Sequence, residues 1–199
     1  MSVWLSDESL FSLNLISNYE NRSYFSKEDE LKIFETKKSQ KTFSIWAAIR
    51  GDGSLIYRMI EGIQQSENYI NLLIDVFPVM DSKSSFFMQD GASIHKSFDA
   101  IDWISFLWKD RWIGLKSTRL EFPPLSPDLT PLDFSFWSLV KRRVAQRSPR
   151  TFDDLKVITI QVLDQVEAEV IRRMCQEVDK RCRVCIQCNG GRFEHLLKN

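Results

Sequence analysis

Three aspartates, Asp7, Asp90 and Asp133, each fall at or near the boundary of an element that the sequence predicts, and two of them follow strands. Open α/β sheets place their binding sites in that position. Carboxylates are hard oxygen ligands suited to Mg²⁺ or Mn²⁺, so several of them gathered at strand ends can serve metal-assisted chemistry. Taken one at a time, an aspartate after a strand is ordinarily a turn or cap residue. Asp128 competes with Asp133, but it follows Pro127 in a Pro-rich loop and reads as a turn cap. His95, five residues beyond Asp90, could act as a base, though a hydrogen-bonding or phosphate-positioning role is the stronger reading; His195 reads as structural. Lys141, Arg142, Arg143, Arg147 and Arg150 follow Asp133 closely. They suit either a DNA backbone passing a nuclease site or a solvated helix face.

The cysteines pose a separate question. Cys182, Cys185 and Cys188, preceded by Cys175, invite a zinc or iron–sulfur reading. A structural zinc site usually pairs two ligand knuckles across a longer loop. Here the thiols follow helical spacing with no Gly or Pro before Gly190, so half-buried thiols on a helix are the better account.

The elements that must position these residues follow from the apolar pattern. A first strand opens at residues 3–5, with Asp7 in or beside it, and continues through 10–13; a short strand is possible at 22–25. Residues 42–49 and 54–60, joined by Gly51-Asp-Gly53, read as a hairpin. Ser66-Glu67 can cap a helix with Tyr69, Ile70, Leu73, Ile74 and Phe77 near helical spacing. A strand at 85–89 delivers Asp90-Gly91, and a helix over 97–111 follows, with short extended pieces at 112–115 and 119–122. Asp133, Trp137, Val140 and Val144 share one helix face, which puts Asp133 in the first turn of a helix running to about Gln146. Thr151-Phe-Asp-Asp154 is a capping-box pattern that opens one long helix or two in succession. Strands first, then helices alternating with further strands, imply a mixed sheet flanked by helices, an α/β architecture with a helical C-terminal segment.

At 199 residues, with 43% hydrophobic and 27% charged residues, the chain suits one substantial core, and one domain over 1–199 is expected. Disordered and collagen-like classes are excluded. Lys+Arg and Asp+Glu are both 27, so no net field draws the whole protein to nucleic acid or membrane. The distribution is uneven: residues 134–199 carry 13 basic and 8 acidic side chains, a local +5, against −5 in the remainder. The start of the chain has neither a basic n-region nor an apolar h-region, and an intracellular protein with reduced cysteines is expected.

Phe86-Phe-Met-Gln-Asp-Gly-Ala-Ser-Ile-His95 and Phe122-Pro-Pro-Leu-Ser-Pro-Asp-Leu-Thr-Pro-Leu-Asp-Phe-Ser-Phe-Trp137 resemble the second and third catalytic blocks of the mariner-type (DDE/D) transposases. Val3-Trp-Leu-Ser-Asp-Glu-Ser9 resembles the first block, and Cys188-Asn-Gly-Gly-Arg-Phe-Glu-His195 resembles the ending of many members from invertebrates. The resemblance implies a ribonuclease H-like fold in which Asp7, Asp90 and Asp133 are the catalytic residues and hold two divalent cations, Mg²⁺ or Mn²⁺. Two such ions about 3.5–4 Å apart can activate a water or 3′-hydroxyl on one side of a phosphate and stabilise the leaving oxygen on the other. It also implies DNA cleavage and strand transfer at transposon ends in the nucleus, DNA ends and target as partners, a homodimer in the transposition complex, and DNA contacts from His95, Lys141, Arg142, Arg143 and Arg147. Members of the family normally carry N-terminal helix-turn-helix units. No such pattern is found here, so a catalytic domain alone, as from a truncated element copy, is expected. Two other functions stay open at this point: an inactive or host-adopted DNA-binding domain, and a Cys-rich metal-binding interaction module.

Overall fold

The computed structural model describes residues 2–14, 16, 41–60, 66–80 and 85–197; the possible strand at 22–25 lies outside them. Its strands are β1 (Ser2–Phe11), β2 (Phe43–Arg50), β3 (Leu55–Ile60), β4 (Ser85–Met88) and β5 (Trp112–Ile113). They form one sheet in the order β3-β2-β1-β4-β5. β2 runs antiparallel to both β1 and β3, as consecutive hairpin-like strands can, while β4 and β5 run parallel to β1 and are reached through helices. The turn between β2 and β3 contains Gly53 at φ 96°, where an added Cβ would lie 2.8 Å from Ala168, so glycine answers both the backbone and the packing.

Helices cover both faces. On one side lie α1 (Ser66–Val76) and α2 (Phe98–Trp108), with Ser97 capping α2 by accepting from the Ala100 N–H. Tyr69, Leu73, Ile104 and Trp108 pack there against Trp4, Trp46 and Phe87. On the other side lie α3 (Trp137–Ala145), α4 (Phe152–Asp164) and α5 (Ala168–Gln187). Phe136, Val140, Val144, Leu155, Val162 and Ile171 pack there against Phe11, Phe43, Ile45 and Ile49. β2 therefore reads as almost wholly apolar because alternate residues feed two different cores.

The mixed sheet flanked by helices is borne out, with local differences. Asp7 lies within β1, paired with Ala47, rather than at a strand end. α1 buries Leu72 and Val76 and leaves Ile74 exposed, and α2 ends at Trp108, three residues short of the expected stop. The C-terminal segment is two helices, with Thr151 and Asp154 forming the expected capping box at the start of α4. Asp133 stands in a π-helical turn, Leu132–Phe136, that leads into α3. No helix among the described residues is long and apolar enough to cross a membrane.

Candidate active site

β1 and β4 are parallel with Leu5 opposite Met88; two residues further along each chain stand Asp7 and Asp90. The register thus brings two of the three aspartates side by side at the end of β4. Ser6 Oγ donates to the Met88 carbonyl at 2.8 Å, and the Gln89 N–H donates to the Ile113 carbonyl at 3.0 Å, which fixes that end between its neighbours. The third aspartate arrives from the opposite side of the chain, through the Pro-rich loop and the π-helical turn. There the N–H groups of Asp133 and Phe134 both donate to the Thr130 carbonyl, at 3.1 and 3.0 Å. Such widened turns are frequent at functional positions.

Trp137 ties this turn to β1. Its indole N–H donates to Asp7 Oδ2 at 2.7 Å, and its ring packs edge-on against Phe11 and Phe136. Asp7 is buried, and burial together with the charges of Asp133 and Glu8 pushes its carboxyl up to about 8, against the opposing pull of the Trp137 N–H. The carboxyls of Asp7 and Asp133 act on each other, and Asp7, raised to about 8, holds its proton near neutrality. Asp133, at the solvent-facing side, is itself raised by desolvation and by the neighbouring Asp90 and Glu8. Lys141, one turn beyond Trp137, is lowered by its own desolvation while Asp7 and Asp133 favour its charge; its Nζ lies 5.5 Å from the Phe11 ring centre.

Asp90 is held differently. Its Oδ1 accepts from the Ala92 N–H at 2.9 Å and from His95 Nδ1 at 2.7 Å. His95 is 3% exposed, and its Nε2 faces Glu8 Oε1 at 3.3 Å. Burial alone would discharge the imidazole, but Glu8 and Asp90 override it and raise His95 to about 10, so both ring nitrogens donate. Desolvation opposes the charge on Asp90 too, and the His95 imidazolium outweighs it, leaving Asp90 below its ordinary value. The Tyr69 ring lies 4.5 Å from the imidazole and its hydroxyl donates to Gln89, whose Nε2 reaches the His95 carbonyl at 3.5 Å.

Asp90 and Asp133 line one cavity of about 340 Å³. Hard carboxylate oxygens, one of them kept protonated by its neighbours' charge, are the donor chemistry that a divalent cation fits, since the cation can take the proton's place. Among the described residues, however, no three His, Cys, Asp or Glu side chains are gathered closely enough to enclose one ion. The four cysteines are free thiols on or just beyond α5.

The pattern is decided by the match of residues 2–156 to the family model described as DDE superfamily endonuclease. The chain belongs to this family. A comparison with curated proteins finds no match. Among solved structures, the DDE domain is similar to the Mos1 transposase paired-end complex with left transposon end, at 16% identity and TM-score 0.68, over 96% of this chain and 56% of that one. It is likewise similar to the Mos1 paired end complex with Mn, at 15% identity and TM-score 0.67 over the same shares. The catalytic domain of Mos1 mariner transposase matches at 19% identity and TM-score 0.64, over 91% of both chains. The DDE chain thus spans a little over half the length of the Mos1 chains in those complexes. The family and the ribonuclease H-like fold expected from the blocks are borne out.

Some expected site residues of the DDE domain sit elsewhere than the spacing suggested. His95 is buried with both nitrogens facing carboxylates, an arrangement in keeping with the hydrogen-bonding role among those its position suggests. Asp128 stands in a turn whose carbonyl accepts from Arg181 at 3.0 Å. Arg142 is exposed and Arg143 half-buried on α3, while Arg147, just beyond α3, donates to Gln161 of α4 and to Gln165 at the end of α4. Glu8 and Trp137 were not singled out from sequence. The signal for Glu8 was strand periodicity, which turns it to the face opposite Asp7; for Trp137 it was the four-residue spacing from Asp133.

Proposed function

We propose that this chain is the catalytic domain of a mariner-type transposase, cutting and joining DNA strands at transposon ends in the nucleus. The observation that carries this reading is that Asp90 and Asp133 line one cleft, while Asp7, buried in β1, stands beside Asp90 in strand register and interacts with Asp133. The similarity to Mos1 structures described with Mg, with Mn and as a strand transfer complex supports it. Asp7, Asp90 and Asp133 would hold two Mg²⁺ or Mn²⁺ ions, which when bound supply a Lewis acid on each side of the reacting phosphate.

The chain's own residues do the rest. Asp7, raised to about 8, would give up its proton to solvent when a cation is held there. Trp137 keeps one Asp7 oxygen fixed, and the Ala92 N–H and His95 keep Asp90 Oδ1 fixed, so each carboxylate presents its remaining oxygen in one orientation. Lys141 offsets the clustered negative charge. Arg142 and Arg143 offer phosphate contacts on the adjoining helix, and transposon ends, target DNA and a second copy of the chain are the partners.

The test is thermal melting with added metal. At a hundredfold excess over Kd, Mn²⁺ should raise Tm by about 5–10 °C, and Asp90→Asn should abolish the rise while leaving the metal-free protein folded. Slow Mn²⁺-dependent nicking of supercoiled plasmid should vanish in Asp7→Ala, Asp90→Ala and Asp133→Ala and persist in Asp128→Ala. A rise unchanged in Asp90→Asn would sink the assignment.

A further inference from the structure

The outer side of α1 and α2, turned away from the sheet, takes no part in the site described above. Along α2, Asp99, Asp102, Trp103 and Phe106 follow at helical spacing and so share one stripe. That stripe is open to solvent: Trp103 is 38% and Phe106 73% exposed, their rings edge to face at 5.9 Å. Beside it, Glu67 and Ile70 of α1 line a groove together with Asp99, Asp102 and Trp103, and Ile74, one turn beyond Ile70, is exposed as well. α2 is thus apolar on two sides. Ile104 and Trp108 hold it to the core, whereas Trp103 and Phe106 are covered by nothing among the described residues. An apolar patch rimmed by polar groups marks an interaction surface.

The rim has one sign of charge. α1 and α2 together carry four carboxylates, Glu67, Asp75, Asp99 and Asp102, and no lysine or arginine. Asp75 is paired with Arg58 of β3, while Glu67, Asp99 and Asp102 have no ion pair among the described residues. Glu67 and Asp99 lie in first turns, where negative charge suits the helix dipole. Asp102 lies a turn further on, beyond the reach of that account. Three clustered carboxylates repel a nucleic-acid backbone and attract cations, so the surface is complementary to a basic protein segment. A lysine or arginine laid over Trp103 would meet the face of an indole as well as the flanking carboxylates.

We propose that the α1–α2 groove docks an amphipathic, cationic helix of another protein. Its aliphatic side chains pack on Ile70, Ile74, Trp103 and Phe106, and a lysine or arginine beside them meets Glu67, Asp99 and Asp102. A helix suits the groove because the ridges of a third helix seat between two that lie side by side. The stripe from Asp99 to Phe106 spans about 10 Å of helix, so two turns of the partner cover it. An interface of that size is weak and reversible, with one aromatic anchor carrying much of the affinity. Docking here leaves the catalytic cleft open, since the groove and the cleft share no residue.

The test uses the whole chain and a fluorescein-labelled synthetic peptide of about four helical turns, about 22 Å long. The peptide carries leucine along one face with lysine and arginine on its flanks, and a counterpart has glutamate in place of every cation. Anisotropy of the cationic peptide should rise to saturation and the binding should weaken with salt, while the glutamate peptide should stay free. Phe106→Ser should weaken binding about tenfold through loss of the aromatic anchor, and Asp102→Lys by about tenfold through like charge. Both side chains lie on the surface, so Tm and its Mn²⁺ shift should stay as in wild type. Asp102→Lys should also gain affinity for the glutamate peptide, which non-specific adhesion would not produce. No saturable binding of the cationic peptide, equal binding of the two peptides, or variants that bind as wild type does would each overturn the proposal. A dimer in sedimentation that Phe106→Ser dissolves would overturn it too, because the face would then belong to a second copy of the chain.

Discussion

Asp7 and Glu8 are neighbours in the chain and serve opposite faces of the sheet, Asp7 meeting Trp137 and Asp133, Glu8 meeting His95. Their charges still act on each other, and the result is measurable. A carboxyl raised from 3.8 to about 8 binds its proton more tightly in the folded chain than in the unfolded one. Its contribution is present below the unfolded value and is lost as pH rises through the folded one. In EDTA, Tm should therefore fall from about pH 5 to about pH 6.5, a window below that in which the contribution of His95 starts to be lost. Asp7→Asn should flatten that fall. With saturating Mn²⁺ the sign should reverse in wild type, because the cation displaces the proton and binds better as pH rises. A wild-type Tm in EDTA that does not fall over this range would remove the proton from the Asp7–Asp133 pair.

Among the elements, the π-helical turn and α3 act as one unit because Trp137 anchors both to β1. Replacing Trp137 with Phe keeps most of the ring packing against Phe11 and Phe136 and removes only the donor to Asp7. We expect a loss of about 1–3 kcal/mol in urea unfolding, the cost of leaving a buried acceptor without its partner. The m-value should not change, since the surface exposed on unfolding is the same. An unchanged midpoint would mean that Asp7 is held by the strand alone.

Across the whole molecule, α5 reaches back to the loop that carries the third aspartate. The Arg181 guanidinium lies 3.8 Å from the Phe134 ring centre and donates to the Asp128 carbonyl at 3.0 Å, while Phe193, beyond the helix, is fully buried. The C-terminal segment thus braces both sides of Asp133. Arg181→Leu gives up the stacking and the hydrogen bond, but it also removes a buried Nε that has no partner among the described residues. The two effects leave a net cost of about 1–2 kcal/mol, or about 2–8 °C in Tm. The Mn²⁺ shift should shrink in the same variant, because Asp133 is held less firmly. A stability loss with an undiminished Mn²⁺ shift would show that the brace serves folding only.

Local pattern carried the elements and the family. The alternation in β2, the turn at Gly51–Gly53 and the Thr151–Asp154 box are short-range signals, each set by the chemistry of a few adjacent residues, and each appears in the structure near its expected place. The blocks around Asp7, Asp90 and Asp133 pointed to the family for the same reason. What no local pattern could settle was the contacts between blocks. That Glu8 and Asp90 share His95 depends on the parallel register of β1 and β4, two segments more than eighty residues apart in the chain. The π-helical turn has no Gly or Pro within it to announce it; the extra residue is retained where it lets Asp133 meet Asp7 and Trp137 reach β1. His95 illustrates the difference most directly. Its position in the block left a hydrogen-bonding and a phosphate-positioning role open, and tertiary packing buries it between two carboxylates, since an imidazole withdrawn from water keeps its charge only beside opposite charges.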